Sequence, residues 1–550
     1  MLFKKGPRWD KEADVVVVGS GAAGMTAALR AHDSGAKVVI LESTALIGGT
    51  SAVSGGGIWI PLNSRMKERG FSDTREDALQ YCIALTAGRA DEALVTKFVD
   101  TAAQMIDYVE SSTPLRFKAM TARDYHPEVA GGRKGGRSVE AQPFDMNMLG
   151  DWRKCVRPAA ALSFPITLQE AFDDFQAFYR PWSIPQDIVA ERMTKGLATL
   201  GQALVGGLLK AVLDRAIPIL LDHPAMSLTL DEGAVTGIRV KHGGRELAIR
   251  ATRGVILASG GFEWNKALRT QFLGGPELSP NSPPCARGDG LVMAMEAGAD
   301  LANMNELWHY PSLMIPGENY DGQPMARGIK AERSGPHIIW VNASGRRFVN
   351  EAANYNSVGR SFFTLRTDGP ETQNLPAWAI FDKQFRERYV VGTTMPEDPD
   401  PGYLIKADTL EELARVAGIE QAGLVETVSR WNGFVAAGKD ADFGKGESAF
   451  DAYQGDWDAP HPNLGTVQKP PFYALRLRAG ALGTKGGPRT DANARVLSVR
   501  GKPIAGLYAA GNVAASICGP SYYGVGSTLG PAMTWGYVAG QHAATAGADR

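Results

Sequence analysis

The run Asp14-Val15-Val16-Val17-Val18-Gly19-Ser20-Gly21-Ala22-Ala23-Gly24 constrains this chain more than any other. Four consecutive valines read as a strand buried on both faces, the pattern of a parallel sheet. A glycine turn follows. An alanine-rich stretch then predicts a helix over Ala22 to Ser34, and a second apolar strand, Lys37 to Leu41, ends at Glu42. This is a strand–turn–helix–strand unit whose turn carries the Gly-x-Gly-x-x-Gly spacing. Gly19 permits the tight turn, Gly21 lets the backbone approach a pyrophosphate, and Gly24 allows close packing of helix on strand. The free N–H groups at Ala22 and Ala23 would face the phosphates. The Glu42 carboxylate would accept the ribose hydroxyls.

The next segment selects the dinucleotide. Gly48-Gly49-Thr50-Ser51 and Ser54-Gly55-Gly56-Gly57 place a long glycine run just after Glu42 and Ser43. NAD domains usually continue here into another βα unit. A loop of this composition is shaped to lie along a flavin, so FAD is the expected cofactor. Two later segments return to it. GVILASGGF reads as a buried strand whose end brings Ala258, Gly260 and Gly261 to the ligand, and GLYAAGN does the same with Gly511 and Asn512.

Between these segments, residues 73–112 read as helices, 120–160 as an irregular excursion rich in Gly, Pro and Arg, and 225–258 as short strands. From about Asp300 to Tyr473 Pro, Asn, Trp and Tyr rise, and HIIWVNASGRRFVN predicts a hairpin around Asn342–Gly345. The expected fold is α/β: a discontinuous Rossmann-like FAD-binding domain, residues 1–308 and 476–550, with an inserted α+β catalytic or capping domain over 309–475.

A formal net charge of −1 argues against nucleic acid as a partner. Cys82, Cys155, Cys285 and Cys518 have neither zinc-ligand nor disulfide-framework spacing, so no metal is expected and a reducing cytoplasm suits the chain. Met1 to Glu12 is polar, with Lys4 and Lys5 near its start, and does not read as a secretory signal. Leu197 to Leu221 reads as a core helix with one apolar stripe; the alternative is a weak peripheral membrane contact.

The chain resembles the FAD-dependent fumarate reductase and 3-ketosteroid dehydrogenase superfamily over essentially its whole length. The shared marks are the fingerprint with GGTS, ASGGF at Ala258 to Phe262, RGDG at Arg287 to Gly290, GRRFVNE at Gly345 to Glu351, and GLYAAGN. The resemblance extends the cofactor contacts to Asp289, Ser527 and Leu529. A fumarate reductase holds a dicarboxylate with histidines and arginines, whose guanidinium groups match carboxylates. Here LGTKGG lacks histidine, Tyr355 stands where that branch has an arginine, and no arginine lies between Arg500 and Arg550.

The set instead resembles the 3-ketosteroid Δ1-dehydrogenase branch. That resemblance implies Tyr355 as base, Tyr125 as its assistant, and Tyr522 O–H with Gly526 N–H holding the substrate carbonyl. Tyr523, beside Tyr522, leaves the carbonyl-binding tyrosine open. Tyr320 and Tyr473 are weaker candidates, and His126, His309 and Lys485 read as structural, pocket-lining or flavin-side residues. The implied reaction is 1,2-desaturation of a 3-ketosteroid A-ring: Tyr355 takes the C2 proton and the C1 hydride passes to flavin N5. An external acceptor, quinone or dye-like, would then reoxidise the enzyme. The alternatives are a 3-ketosteroid Δ4-dehydrogenase acting at C4–C5 and a fumarate-reductase-type flavoprotein. In the Δ4 branch a serine is expected two residues after the tyrosine; Gly524 stands there, favouring Δ1.

Overall fold

The computed structural model describes residues 8–159 and 165–546. Lys4 and Lys5 lie outside the described residues. The fingerprint folds as its spacing requires. β1 (Lys11–Val18) leads through Gly19 to Gly21 into α1 (Ala22–Asp33), and the chain returns along β2 (Val38–Leu41). The excursion that follows holds α2 (Arg75–Thr86) and α3 (Glu92–Ser112), capped by Thr74 and Asp91 side chains. Further on come α4 (Leu200–Asp214), β3 (Ile219–Leu220), β4 (Ala225–Asp231), β5 (Ala234–His242) and the long β6 (Arg245–Leu257).

Residues 338–476 build a separate antiparallel sheet from β7 (Ile338–Asn342), β8 (Ala377–Asp382), β9 (Leu404–Ala407) and β10 (Phe472–Arg476), in the order β7-β8-β10-β9. α5 (Tyr355–Arg360) lies on the connection between β7 and β8. The chain then rejoins the first sheet through β11 (Arg495–Leu497) and β12 (Pro503–Ala509) and ends in α6 (Leu529–Thr545).

The main sheet runs β11-β12-β6-β1-β2-β3, with β5 paired to β6 and β4 to β5. Its centre is parallel: Val18 pairs with both Leu41 and Leu257, and Leu257 pairs with Ala509. Four strands therefore end level with one another. Ligands of open α/β sheets bind at such carboxyl ends. Val15, Val16 and Val17 are fully buried because helices cover one face and a cluster that includes Leu228, Ile238, Val240, Met293 and Ala294 covers the other.

Two expectations are corrected. The tight turn at Asn342 exists, with Gly345 N–H donating to the Asn342 carbonyl, but no hairpin forms. The chain leaves the sheet after the turn, and β7 pairs with β8 along its whole length. The second strand of the pattern, RRFVN, is spent on a buried ion-pair network instead. The apolar helix α4 is also not striped. From Leu200 to Val212 all but Gln202 and Lys210 are buried, packed against α1 and the loop after Glu42, so its apolar side chains are not available to a membrane surface. Among the described residues no helix is long and apolar enough to cross a membrane. All four cysteines are free thiols.

Candidate active site

One cavity of about 1060 Å³ runs from the fingerprint to a cluster of tyrosines. Its two ends are built differently.

At the fingerprint end, Gly19 has φ +108°, and a Cβ there would stand 2.4 Å from the Ala258 carbonyl oxygen, so only glycine fits between β1 and the end of β6. The N–H of Ala22 donates to Ser51 Oγ at 3.1 Å, which fastens the glycine loop to the start of α1. Glu42 is buried. It accepts from Ser20 Oγ at 2.6 Å and from Thr44 N–H at 3.1 Å, fixing its carboxylate at the end of β2. Gly19, Gly21, Ala22, Ala23, Glu42, Ser43, Gly49, Thr50, Ser51, Gly56, Gly57, Ala258, Gly260, Asp289, Gly511, Asn512 and Leu529 all line the cavity. Ser259 lines it as well, and its buried hydroxyl has no partner among the described residues. An orphaned buried hydroxyl in a glycine-lined cleft, beside helix N–H groups and a fixed carboxylate, suits a polar dinucleotide. These residues fit FAD.

Three residues expected at the cofactor do not line the cavity. Gly24 packs on the Gly19 carbonyl, Gly261 faces Glu263 and Thr484, and the Ser527 hydroxyl is turned into its own loop, where it bonds Gly524 at 2.8–2.9 Å. Their roles lie in shaping the turns around the cleft.

At the other end, tyrosines from four distant segments converge. Tyr355 lies with its ring centroid 5.3 Å from both Tyr125 and Tyr522 and 4.6 Å from Tyr310, each pair edge to face. Tyr125 and Tyr522 stack at 5.1 Å. All four line the cavity, as does Gly526. The backbone of Gly526 has φ +94°, and a Cβ would lie 2.4 Å from Gly57 backbone atoms, so glycine is required where the C-terminal loop crosses the glycine run.

Each tyrosine is held by a local framework. Tyr355 begins α5, whose N-cap Asn354 accepts from Ser357 N–H at 3.0 Å. Just before it, the GRRFVNE motif is a buried network. Arg347 grips Glu351 and Asp440, each by two bonds of 2.9 Å, and the Glu351 carboxylate also accepts the Trp340 N–H. Tyr125 follows Asp124, which accepts from Trp59 Nε1 at 2.8 Å and from Arg137 at 2.7 Å. Arg137 also pairs with Asp73. The arginines of the irregular excursion thus pin it to the core. Tyr125 N–H then donates to the Tyr523 carbonyl at 2.9 Å, joining the excursion to the C-terminal loop.

Tyr522 and Tyr523 point to opposite sides. Tyr522 faces the cavity, with Trp308 edge-on at 5.0 Å. Tyr523 faces the core, packs on Trp59 at 5.1 Å and donates to the Ile517 carbonyl at 3.0 Å. The Tyr522 loop rests on Lys485. This fully buried ammonium donates to the Ser521 carbonyl at 2.7 Å and sits 4.4 Å from the Trp308 ring centre. Burial lowers its pKa to about 7.

Burial pushes the phenols of Tyr355 and Tyr125 well above their ordinary value, and that of Tyr522 up to about 12. In this arrangement Tyr522 stays a hydrogen-bond donor across the physiological range.

Other candidates lie elsewhere. Tyr473 stacks on Phe381 in the second sheet, and Tyr320 donates to the Pro158 carbonyl at 2.7 Å. His309 is buried against Phe363, with burial holding it neutral, and His126 contacts the Asn354 amide at 3.3 Å. Sequence reasoning missed Tyr310. Its only signal was an aromatic residue two positions after Trp308, and nothing local ties it to Tyr355.

The model of the FAD binding domain family matches residues 14–529. The chain is 37% identical to a 3-oxosteroid 1-dehydrogenase of Mycobacterium tuberculosis, covering 97% of this chain and 98% of that one. The chain belongs to the FAD-dependent 3-ketosteroid dehydrogenase family. FAD is therefore its cofactor, and it is an oxidoreductase. It is also 41% identical to a 4-oxocyclohexanecarboxylate 2-dehydrogenase of Sinomonas cyclohexanicum, over 96% of this chain and 92% of that one. Among solved structures it resembles the 3-ketosteroid delta1-dehydrogenase of Sterolibacterium denitrificans in complex with 1,4-androstadiene-3,17-dione. Identity there is 38%, the TM-score is 0.91, and 98% of this chain and 100% of that one are covered. This family member keeps the α/β fold with its parallel cofactor sheet.

Proposed function

We propose that this enzyme desaturates the C1–C2 bond of a 3-ketosteroid. The observation that carries the reading is the convergence of Tyr125, Tyr355, Tyr522 and Gly526 on one end of the FAD cavity.

Removing hydrogen beside a ketone requires an acidified C2–H and a base to take the proton. The Tyr522 O–H and Gly526 N–H donate to the ketone oxygen and hold the negative charge that develops there. Tyr355 accepts the C2 proton, and Tyr125 shares the charge on its phenolate oxygen. When bound, FAD supplies the two-electron acceptor for the C1 hydride. The protein aligns the ring, excludes water and manages the proton. Residues 309–475, which supply Tyr310, Leu313, Tyr355 and Val390 to the wall, act as the covering substrate unit. In this reading an external acceptor, quinone or dye-like, reoxidises the enzyme.

The second reading is a monocyclic 4-oxocyclohexanecarboxylate, the compound in the name of the 41% identical relative. A ring carboxylate calls for an opposed cation. Away from the fingerprint the wall is largely apolar, with Leu168, Phe172, Phe178, Leu313 and Val390, and Arg327 is already paired with Glu318 at 2.5 Å. An extended apolar steroid suits these surroundings better. The deciding experiment is a dye-linked assay with androst-4-ene-3,17-dione, its 5α-saturated analogue and 4-oxocyclohexanecarboxylate, with the new double bond located in each product. A Δ1 product from the steroids supports the reading. A Δ4 product alone, or turnover of the monocycle alone, overturns it.

A further inference from the structure

A base at Tyr355 must reach its phenolate, yet burial opposes that charge. A fixed cation in the same buried region offsets the cost. Arg333, on the short helix Ala331–Ser334, is such a cation. It is 2% exposed. Its Nη1 donates to the carbonyls of Glu351 at 3.2 Å and Ala352 at 3.1 Å, and also to that of Ala353, while its Nε has no acceptor among the described residues. Among the described residues no carboxylate pairs with it. Arg347 and Arg137, buried to the same degree, each hold two carboxylates. A buried guanidinium without a counter-ion is costly.

The titratable groups on packed elements whose charge acts on Arg333 are Tyr310, Tyr179, Tyr125 and Asp451; Lys330 and Glu332 are its neighbours on the same segment. Most are committed. Tyr179 donates to the Gln454 carbonyl at 2.7 Å. Asp451 accepts from the Asn350 amide at 2.7 Å and from Gly446 N–H, and burial raises its pKa. Glu332 accepts Gly392 N–H at 2.7 Å and is likewise raised by burial. Lys330 lies over the Phe172 ring at 4.1 Å, with burial lowering its pKa to about 7. Tyr125 and Tyr310 remain, and both touch Tyr355 in the cavity.

We propose that Arg333 is a positioning residue whose buried charge makes the phenolate state of the Tyr355–Tyr125 pair accessible, while its guanidinium fixes the carbonyls of residues 351–353 that lead into Tyr355. The proposal rests on Tyr355 being the base. An anionic tyrosine pair and an unpaired guanidinium complete each other: together they carry no net charge. Arg333's Coulomb influence favours the ionised form of Tyr125 and Tyr310, whereas Glu332 opposes it at Tyr310.

The test is the pH dependence of flavin bleaching when the holoenzyme is mixed anaerobically with androst-4-ene-3,17-dione. Arg333→Gln is expected to move the ascending limb up by about one unit, a bleaching rate lower by about tenfold below the limb, with FAD still bound. Arg333→Lys, which keeps the charge, is expected to stay near wild type. Glu332→Gln is expected to move the limb down. Coincident limbs for Arg333→Gln and wild type overturn the proposal. If Arg333→Gln does not fold, Glu332→Gln decides: a limb that stays put or moves up overturns it. Tyr355→Phe separates the two claims. Normal bleaching in that variant refutes the base itself, whereas a dead Tyr355→Phe with unmoved limbs in the charge variants refutes only Arg333.

Discussion

The two ends of the cavity are assembled by opposite strategies. At the fingerprint end, Gly19 to Ala23, Glu42 and Ser51 lie within one short stretch of chain, and the hydrogen bonds between them close over a single turn and loop. At the tyrosine end, Tyr125, Tyr310, Tyr355 and Tyr522 are far apart in sequence and meet only when the excursion, the segment after Trp308, α5 and the C-terminal loop are packed together. The start of the cofactor cleft is thus built locally and completed by later segments such as Ala258 and Asn512, whereas the tyrosine cluster exists only in the tertiary fold. Damage at one end should leave a distinct signature from damage at the other.

The largest contrast is between Gly19→Val and Tyr355→Phe. A side chain at Gly19 collides with Ala258 and is strained at φ +108°, so that variant should purify without flavin, as read by the flavin-to-protein absorbance ratio. Tyr355→Phe should bind FAD in full while kcat falls about 10³-fold, within the range for a lost general base. Next, Tyr522→Phe should lower kcat about 10²-fold by removing one carbonyl donor. Because burial keeps Tyr522 protonated up to about 12, that variant should keep the wild-type ascending pH limb, and a shifted limb would show that Tyr522 carries the titration.

A smaller effect tests the framework. Asp124→Asn weakens the hold on the buried Arg137, and should cost about 3 kcal/mol in denaturant unfolding. Turnover should suffer more than flavin content, since Asp124 precedes Tyr125 and not the fingerprint.

The smallest is a pH effect behind Leu168, a residue of the cavity wall. Glu140 accepts from Leu168 N–H at 2.7 Å, and burial raises its pKa to about 7. The folded state therefore holds a proton that the unfolded chain releases near ~4.5, so this contribution to stability is full at acid pH and declines as pH rises to about 7. Glu140→Gln should flatten that slope in thermal unfolding between those pH values.

Local patterns exposed the cofactor half because glycine geometry and strand burial act over neighbouring residues. The valine run, the turn and Glu42 could be placed before any packing was known. The same logic failed at HIIWVNASGRRFVN. Its turn is real, but Arg347 and Glu351 are claimed by Asp440 and Trp340, contacts that no short-range pattern announces. It read α4 correctly as a core helix but with a single apolar stripe, because burial on nearly every side depends on the loops folded over it. Of the site, Tyr125, Tyr355 and Tyr522 could be picked out by family likeness, yet the choice between Tyr522 and Tyr523 needed the cavity. Tyr310 and Arg333 were not legible at all, because one is an ordinary aromatic and the other an ordinary arginine until packing buries them.

The sequence by itself determined a dinucleotide cleft, because one βαβ turn fixes the directions of its own N–H groups and carboxylate. Only the tertiary structure decided what that cleft faces. It buried four tyrosines and a guanidinium that, among the described residues, has no carboxylate partner, and the low dielectric of such a site gives each charge a consequence it would not have in an extended chain.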